Sequence, residues 1–548
     1  TRVADGSVYG PDGLVGEAML ADLAGAGYWR LRVDPAYGGL GASFAAYADL
    51  LAKVFALDQP VGVLGSMQAG LGPVTTLTAH GSEEQKRRLL PLLAEGTRLG
   101  AFATTEPGTS SDLRAIATDA LRDGDRLLLT GEKLLITNAA PGRLVSVLCR
   151  VDGELRMLMV ELPEREDETF HTVTYGLQAF RHLHNHGLVF RDMPVPAANL
   201  LPGDGRAIAY HALNHGRVVL CAGAAGALRR MIGSLGPWVQ VRETFGAAIG
   251  TRELVQRRLG RLAARTVGCD AVLAWSTQLL DNGYRGELEG VVAKVFGSES
   301  LKEATVEVLL KTHGGRALLD GNMFADDVHE LLAPTVFEGE NEILTLGFFA
   351  GLAREHGEQV LQPLASALGP GGADRPSGRA RRVWEARRPI TSYAGWAGRR
   401  QLARVTPMAG VAAPTNPDGL TSLAARELQR CGLEISTAMR RQGSGLVQHQ
   451  ALVFDLARRV QDATVMLVVA RYGARQPDPL VRDAATCMAA ELGQRLTGSR
   501  PTADYYRLLT GLGEAVADGR FSAAAGCEPW PETHATFPTP RTPYPARR

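Results

Sequence analysis

The spacing of apolar residues changes its period twice along this chain, and that change limits the fold more than any other feature. Residues 12–98 and 204–360 place apolar side chains at the 3.6-residue spacing of helices that bury one face. In GLVGEAMLADLAGAGYW, Leu14, Met19, Leu20 and Leu23 fall near that period. SEEQKRRLLPLLAEG opens with Ser82 and has Gln85 three residues on, the pattern of a capping box. Between the two blocks, residues 99–203 are short β-rich runs such as DRLLLTGEKLLITN, LVSVLCRV and LRMLMVEL, divided by Gly, Asp, Asn and Pro. The expected class is therefore α+β, mostly α: a helical domain over 1–98, a compact β-domain over 99–203 and a helical domain over 204–360. The small-residue run GAAGA in the last block lets helices approach closely. Gly, Pro and charge without periodicity make 361–385 a linker, residues 386–525 read as a helical extension, and the Pro-rich 526–548 as an extended surface tail.

The same residues exclude several classes. A net charge of +1 gives no global attraction to nucleic acid or an anionic membrane, so any anionic ligand needs a local cluster. No run of 18 apolar residues occurs, and TRVADGSVYG at the start has no basic segment leading into an apolar one; a cytoplasmic protein without membrane insertion is expected. Cys149, Cys221, Cys269, Cys431, Cys487 and Cys527 form no CxxC and read as small buried hydrophobes in a reducing compartment. HLHNH would put His182, His184 and His186 on one face of a strand, but no acidic or Cys partner lies at a metal-ligand spacing, and no metal is expected. No GxGxxG, P-loop, HExxH or GxSxG occurs, which removes the usual support for nicotinamide, P-loop and zincin chemistry.

Four short motifs remain, each with two readings. AFATTEPGTSSD (101–112) leaves a strand for a polar turn, either a cradle for phosphate or flavin heteroatoms or an ordinary turn. VRETFGAAIG (241–250) sets Arg242 three residues before Phe245 on one helical face, either for a phosphate and an adenine or as a surface Arg beside a core Phe. KTHGGRA (311–317) has paired glycines after a helix, for close backbone approach to a ligand or as a C-cap. FEGENEIL (337–344) holds Glu338, Glu340 and Glu342, either a tuned base or a solvated acidic helix start.

Taken in order, TEPGxxSD, GEKxxITN, RDMPVPAANLLPG, NHGR, RETFG, GG and FEGENEIL resemble the acyl-CoA dehydrogenase family. The helical extension and the FEGxNxIL form look most like its very-long-chain, extended branch. The resemblance implies an N-terminal helical domain, a central β-barrel-like domain and a C-terminal four-helix bundle, with an additional C-terminal helical domain. It implies FAD held between the second and third of these. Phe102, Thr104, Thr105, Ser110 and Ser111 would line the flavin, with Leu135 and Thr137 against its ring system. Arg242, Phe245, Lys311, Gly314 and Gly315 would reach the ADP half across a subunit boundary, with Glu340 also near the cofactor. Ser111, Arg217 and Gly339 would border the substrate, and Glu338 would be the catalytic base. Some branches carry the base just before the arginine matching Arg217; that position is Gly216 here, so Glu338 is the one carboxylate the resemblance offers.

The implied reaction is α,β-dehydrogenation of an acyl thioester of CoA or an acyl carrier protein, with electrons passing to a partner protein. An oxygen-using flavoenzyme, acyl-CoA oxidase-like or a monooxygenase, is the alternative, and a homodimer is expected. Ser110, Leu135 and Glu340 depart from the family's usual Gly, Trp and Thr, which points to a specialised substrate; the expectation for Glu340 is that it either raises the pKa of Glu338 beside it or repels an anionic substrate.

Overall fold

The structure is a computed structural model that describes residues 2–319, 328–363, 379–405 and 413–524. Residues up to Glu340 and those from Thr510 onward form one compact unit, and Asn341–Leu509 forms a second. The α–β–α order expected from the sequence is the order observed in the first unit.

After one helical turn at Arg2–Asp5 come α1 (Glu17–Gly25), α2 (Phe44–Leu57), α3 (Gln59–Gly65), α4 (Pro73–His80) and α5 (Glu83–Glu95). Local chemistry sets their ends. The Asp58 side chain accepts from the Val61 N–H to start α3, and Ser82 and Gln85 form the reciprocal capping box that starts α5. A π-turn, Ser66–Gly70, separates α3 from α4. From it the buried Gln68 accepts from Gly100 N–H at 2.7 Å and donates to Leu93 O at 2.8 Å, which joins the helical block to the first strand.

Seven strands follow: β1 (Gly100–Ala103), β2 (Asp119–Asp123), β3 (Arg126–Thr137), β4 (Leu144–Val151), β5 (Glu154–Glu161), β6 (Phe170–Thr174) and β7 (Asn185–Pro196). They make one sheet in the order β1-β4-β2-β3-β7-β6, with β5 also paired to β4. The β4 strand takes β1 in parallel over Leu144–Val147 and β2 at Arg150, while β5 runs antiparallel to it. Val145, Val147, Leu158, Val160, Phe170 and Phe190 fill the core this sheet encloses. Lys133 is fully buried there, and its ammonium meets Glu106 at 2.7 Å and Leu148 O at 2.6 Å. Glu106 in turn accepts from the Ala117 and Thr118 N–H groups, so the buried pair leaves no charge unanswered.

Long helices complete the unit: α6 (Gly205–Val241), α7 (Glu253–Asp281) and α8 (Glu287–Glu303). An 18-residue window of α6 has mean hydropathy 1.4, long and apolar enough to cross a membrane, but 83% of that window is buried among its neighbours. GAAGA acts as the sequence suggests. A Cβ on Gly226 would lie 2.4 Å from Ala52 O and 2.6 Å from Phe55 Cβ, so α6 and α2 cross at backbone contact distance. Cys149, Cys221, Cys269, Cys431 and Cys487 are buried and unpaired; Cys527 and the Pro-rich tail lie outside the described residues.

Several boundaries differ from the expected segments. Helix α9 (Asn341–His356) falls in the second unit, where Gln461 on the helix Gln450–Gly473 donates to Thr345. The supposed linker 361–385 is entered by a helix that begins at Arg379, because the run of Arg, Ala, Trp and Glu there favours helix once the Gly/Pro segment has passed. The supposed extension is not one body: from Thr510 the chain belongs to the first unit, where a Cβ on Gly513 would sit 1.8 Å from Gln256 O. The helix-crossing contact is testable. Gly226→Val forces backbone apart and is expected to cost about 3 kcal/mol, read as an earlier urea midpoint; an unchanged midpoint would mean α6 and α2 do not approach this closely.

Candidate active site

The backbone between Thr335 and α9 is strained where the sequence reading put the base. Glu338 has φ +56° and Gly339 φ +98°. A side chain in the left-handed region costs of order 1–3 kcal/mol and persists only when its surroundings hold it there. Two buried cations do so. Arg217 on α6 donates from Nε to Glu338 O at 3.4 Å while its Nη1 binds Asn214 Oδ1 at 3.0 Å. Lys294 on α8 donates from Nζ to Gly339 O at 2.6 Å and to Thr335 O at 3.4 Å. Phe337, the preceding residue, meets Phe180 of the β-domain edge-on at 5.3 Å, which carries the loop to the junction of the helices and the sheet.

The Glu338 side chain turns inward. The residue as a whole is only partly buried, but both carboxylate oxygens are shielded from solvent and take no hydrogen bond among the described residues. They lie against α6 at Gly216: a Cβ there would be 2.7 Å from Glu338 Oε2 and 3.2 Å from Leu71 Cβ, just after the π-turn. Burial pushes the carboxyl up to about 7, against the pull of Arg217 and Lys294 in the other direction. Lys294 is itself pushed down to about 8 by burial; Glu338, Glu340 and Glu299 support its charge and Arg217 opposes it. The expectation that Glu340 raises the pKa of Glu338 is therefore corrected. Its charge bears on Lys294, and burial is what raises Glu338.

A second group of candidates gathers at one end of the sheet. Phe102 is buried on β1 opposite Ser146, and Thr104 and Thr105 follow it out of the strand. Thr104 O accepts from Lys133 Nζ at 3.3 Å, and Thr105 O from Leu134 N at 2.9 Å. Next to that bond the β3–β7 register slips between Lys133 and Ile136, and Leu135 is thrown outward with φ +55° and 48% exposure. Thr137 ends the strand, its hydroxyl accepting from Asn185 Nδ2 at 3.1 Å. Ser110 and Ser111 stand exposed on the turn that Thr109 closes onto Asp112 O at 2.6 Å.

A third group lies at the far end of α6. The expectation that Arg242 and Phe245 share a helical face is overturned. Helix α6 stops at Val241, Arg242 is extended, and Glu243–Thr244 (β8) pairs with Ala247–Ala248 (β9) in a hairpin. Phe245 and Gly246 occupy its two-residue turn at φ +49° and +76°, the geometry such hairpins require, which leaves Phe245 99% exposed. Trp238 Nε1 donates to Thr312 O at 3.0 Å and brings the turn at Gly314 and Gly315 to this end of α6. Both glycines face open space, and Lys311 is engaged with Glu307 at 2.5 Å. The HLHNH histidines do not share a strand face: only His186 lies in β7, His182 binds Gly13 O, and the described residues contain no cluster of three metal-ligating side chains.

Residues 11–97, 101–193 and 203–349 match, in turn, the family models described as the N-terminal, middle and C-terminal domains of acyl-CoA dehydrogenase. The chain belongs to the acyl-CoA dehydrogenase family. It is 30% identical over 369 residues to a probable acyl-CoA dehydrogenase, FadE10, of Mycobacterium tuberculosis, covering 62% of this chain and 55% of that protein, so the chain spans about half that relative's length. It is 26% identical over 547 residues to the mitochondrial very long-chain specific acyl-CoA dehydrogenase of Homo sapiens, covering 94% of this chain and 76% of that one. Among solved structures, an acyl-CoA dehydrogenase complexed with FAD from Bacillus anthracis superposes with a TM-score of 0.75 at 21% identity, over 92% of this chain and 89% of that one, a likeness of fold.

For a member of this family the geometry adds what motif order left unseen. Lys294 escaped sequence reasoning, although a lone Lys inside the apolar run VVAKVFG was a visible signal. Gly216 proves more than a position without an acid, since Glu338 uses the space a side chain there would fill. The raised carboxyl has a stability consequence. The folded state prefers the proton, so the stability that neutral Glu338 contributes is complete below the unfolded value near 4.5 and is lost as pH rises through about 7. Glu338→Gln removes that loss: at pH 8 it is expected to unfold later in urea than the parent by up to about 3 kcal/mol, with the gain vanishing near pH 4.5. Equal midpoints at pH 8 would contradict a desolvated carboxylate.

Proposed function

We propose that this chain is an FAD-dependent oxidoreductase that removes the α-proton and β-hydride of an acyl thioester, with Glu338 as the base. The observation that carries this reading is a buried carboxylate whose two oxygens have no partner among the described residues. Such a group is costly to keep unless a proton donor is to arrive there. The α-proton of a thioester is a weak acid, and a carboxyl held near 7 by desolvation accepts it far more readily than one in water.

The candidate cofactor residues fit FAD. Exposed Leu135 beside the polar Thr104–Thr105 turn would take the ring system, together with Phe102, Ser110, Ser111 and Thr137. Gly314 and Gly315, with no atom within 4 Å of a Cβ at either, exposed Arg242 and the bare ring of Phe245 would take the ADP half. Bound there, FAD supplies the acceptor for the β-hydride. Glu338 receives the α-proton on a carboxylate oxygen, Arg217 fixes the carbonyl of Glu338, and Gly339 borders the thioester. Phe245 at 99% exposure supports a homodimer in which a second copy covers it. Lys311 and Glu340 are the weakest members of the cofactor set, since Glu307 already holds the first and the charge of the second acts on Lys294.

Electrons would leave through a partner flavoprotein. A second reading, with dioxygen as acceptor and a carrier-protein thioester as substrate, draws support from the exposure of Leu135 at the ring position; peroxide formed in proportion to product during aerobic turnover would select it. The test of the main reading is anaerobic titration of the flavin-loaded chain with acyl-CoA thioesters while the visible spectrum is followed. The parent is expected to bleach. Glu338→Gln is expected to keep its flavin and bleach about 10²–10⁴-fold more slowly, the usual contribution of a positioned proton acceptor; bleaching at the parental rate would remove Glu338 from the role.

A further inference from the structure

We propose that Lys294 is a positioning residue for the base: it clamps the loop on both sides of Glu338 through carbonyl oxygens and keeps a positive charge next to the carboxylate. The inference rests on the reading of Glu338 as the base.

Lys294 is 0% exposed, on a helix whose neighbouring Val291, Val292, Ala293, Val295 and Phe296 are all buried. An ammonium is among the most expensive groups to place in such surroundings. Two of its hydrogen bonds run to Gly339 O and Thr335 O, one residue after Glu338 and three before it. A neutral amide donor of similar length would satisfy two carbonyl oxygens with far less desolvation. What a lysine adds is charge, and that charge acts on Glu338, which in turn supports it. Among the described residues, the charged groups acting on Glu338 are Arg217 from α6 and Lys294 from α8; those acting on Lys294 are Glu338, Arg217, Glu340 and Glu299. Arg217 binds the carbonyl of Glu338 itself, so the two cations hold consecutive carbonyls, at Glu338 and Gly339, from two different helices. The left-handed turn is thus fixed in place, and the buried carboxyl ionises at a lower pH than burial alone would allow.

The experiment is the pH dependence of first-turnover bleaching by an acyl-CoA in flavin-loaded full-length protein, for the parent, Lys294→Gln, Lys294→Met and Lys294→Arg. Flavin content and melting temperature are measured on each. In the Gln and Met variants the rise of rate with pH is expected to move upward by about one pK unit, with a rate about fivefold lower at pH 7, where the parent carboxyl is about half ionised, and about tenfold lower well below that. Lys294→Arg, which restores a cation, is expected to return the rise close to its parental position. A rise that stays at the parental pH in both neutral variants, whether or not the rate falls, overturns the proposal, since a merely structural lysine would slow the reaction without moving its pH dependence. If Lys294→Met does not hold flavin, Lys294→Gln decides alone, because it retains donors for both carbonyls. Failure of the underlying reading looks different: Glu338→Gln would then bleach at the parental rate.

Discussion

A buried carboxylate with no hydrogen-bond partner among the described residues does not stay against a helix unless its surroundings compel it, and the loop at Glu338 is built around that compulsion. The side chain of Glu338 occupies space that exists because Gly216 has none, on a helix long enough to meet the N-terminal helices, the sheet and α8. Its backbone is held left-handed by carbonyl contacts to Arg217 and Lys294. The strain and the desolvation are both unfavourable locally. They are offset by close packing elsewhere, most clearly where Gly226 lets α6 touch Ala52 and Phe55.

Two opposing influences set the chemistry of that carboxyl. Burial raises it and the two cations lower it, leaving it near neutrality. On the proposed reading, burial makes the carboxyl a stronger base for a carbon acid, and the two cations favour the ionised form that such a base needs. Each influence comes from a different element, so no single local motif encodes the balance.

The candidate cofactor residues divide in a related way. Those at the sheet end are gathered by backbone bonds, Leu134 to Thr105 and the β3–β7 bulge at Leu135. Those at the far end of α6 are presented outward, with Phe245 wholly bare and Gly314 and Gly315 facing open space. On the proposed reading a ligand shared with a second copy would cover this surface, which otherwise leaves an aromatic ring in water.

Much of this was legible in the amino-acid order, because it depends on near neighbours. Period 3.6 and period 2 separate helix from strand, Ser82 and Gln85 announce a capping box that forms, and the succession of short motifs marks the family. The helical reading of Arg242 and Phe245 failed because a two-residue turn at Phe245 and Gly246 overrode a spacing that suits a helix equally well. Glu338 was recognisable as a candidate, but a carboxylate in FEGENEIL has the same composition whether solvated or buried. Only tertiary structure decided that it is buried, that Gly216 makes room for it, that Lys294 stands beside it, and that Glu340 bears on the lysine instead. The reason is distance along the chain: desolvation and charge act through space, and the groups that impose them on Glu338 come from helices 121 and 44 residues earlier in the sequence.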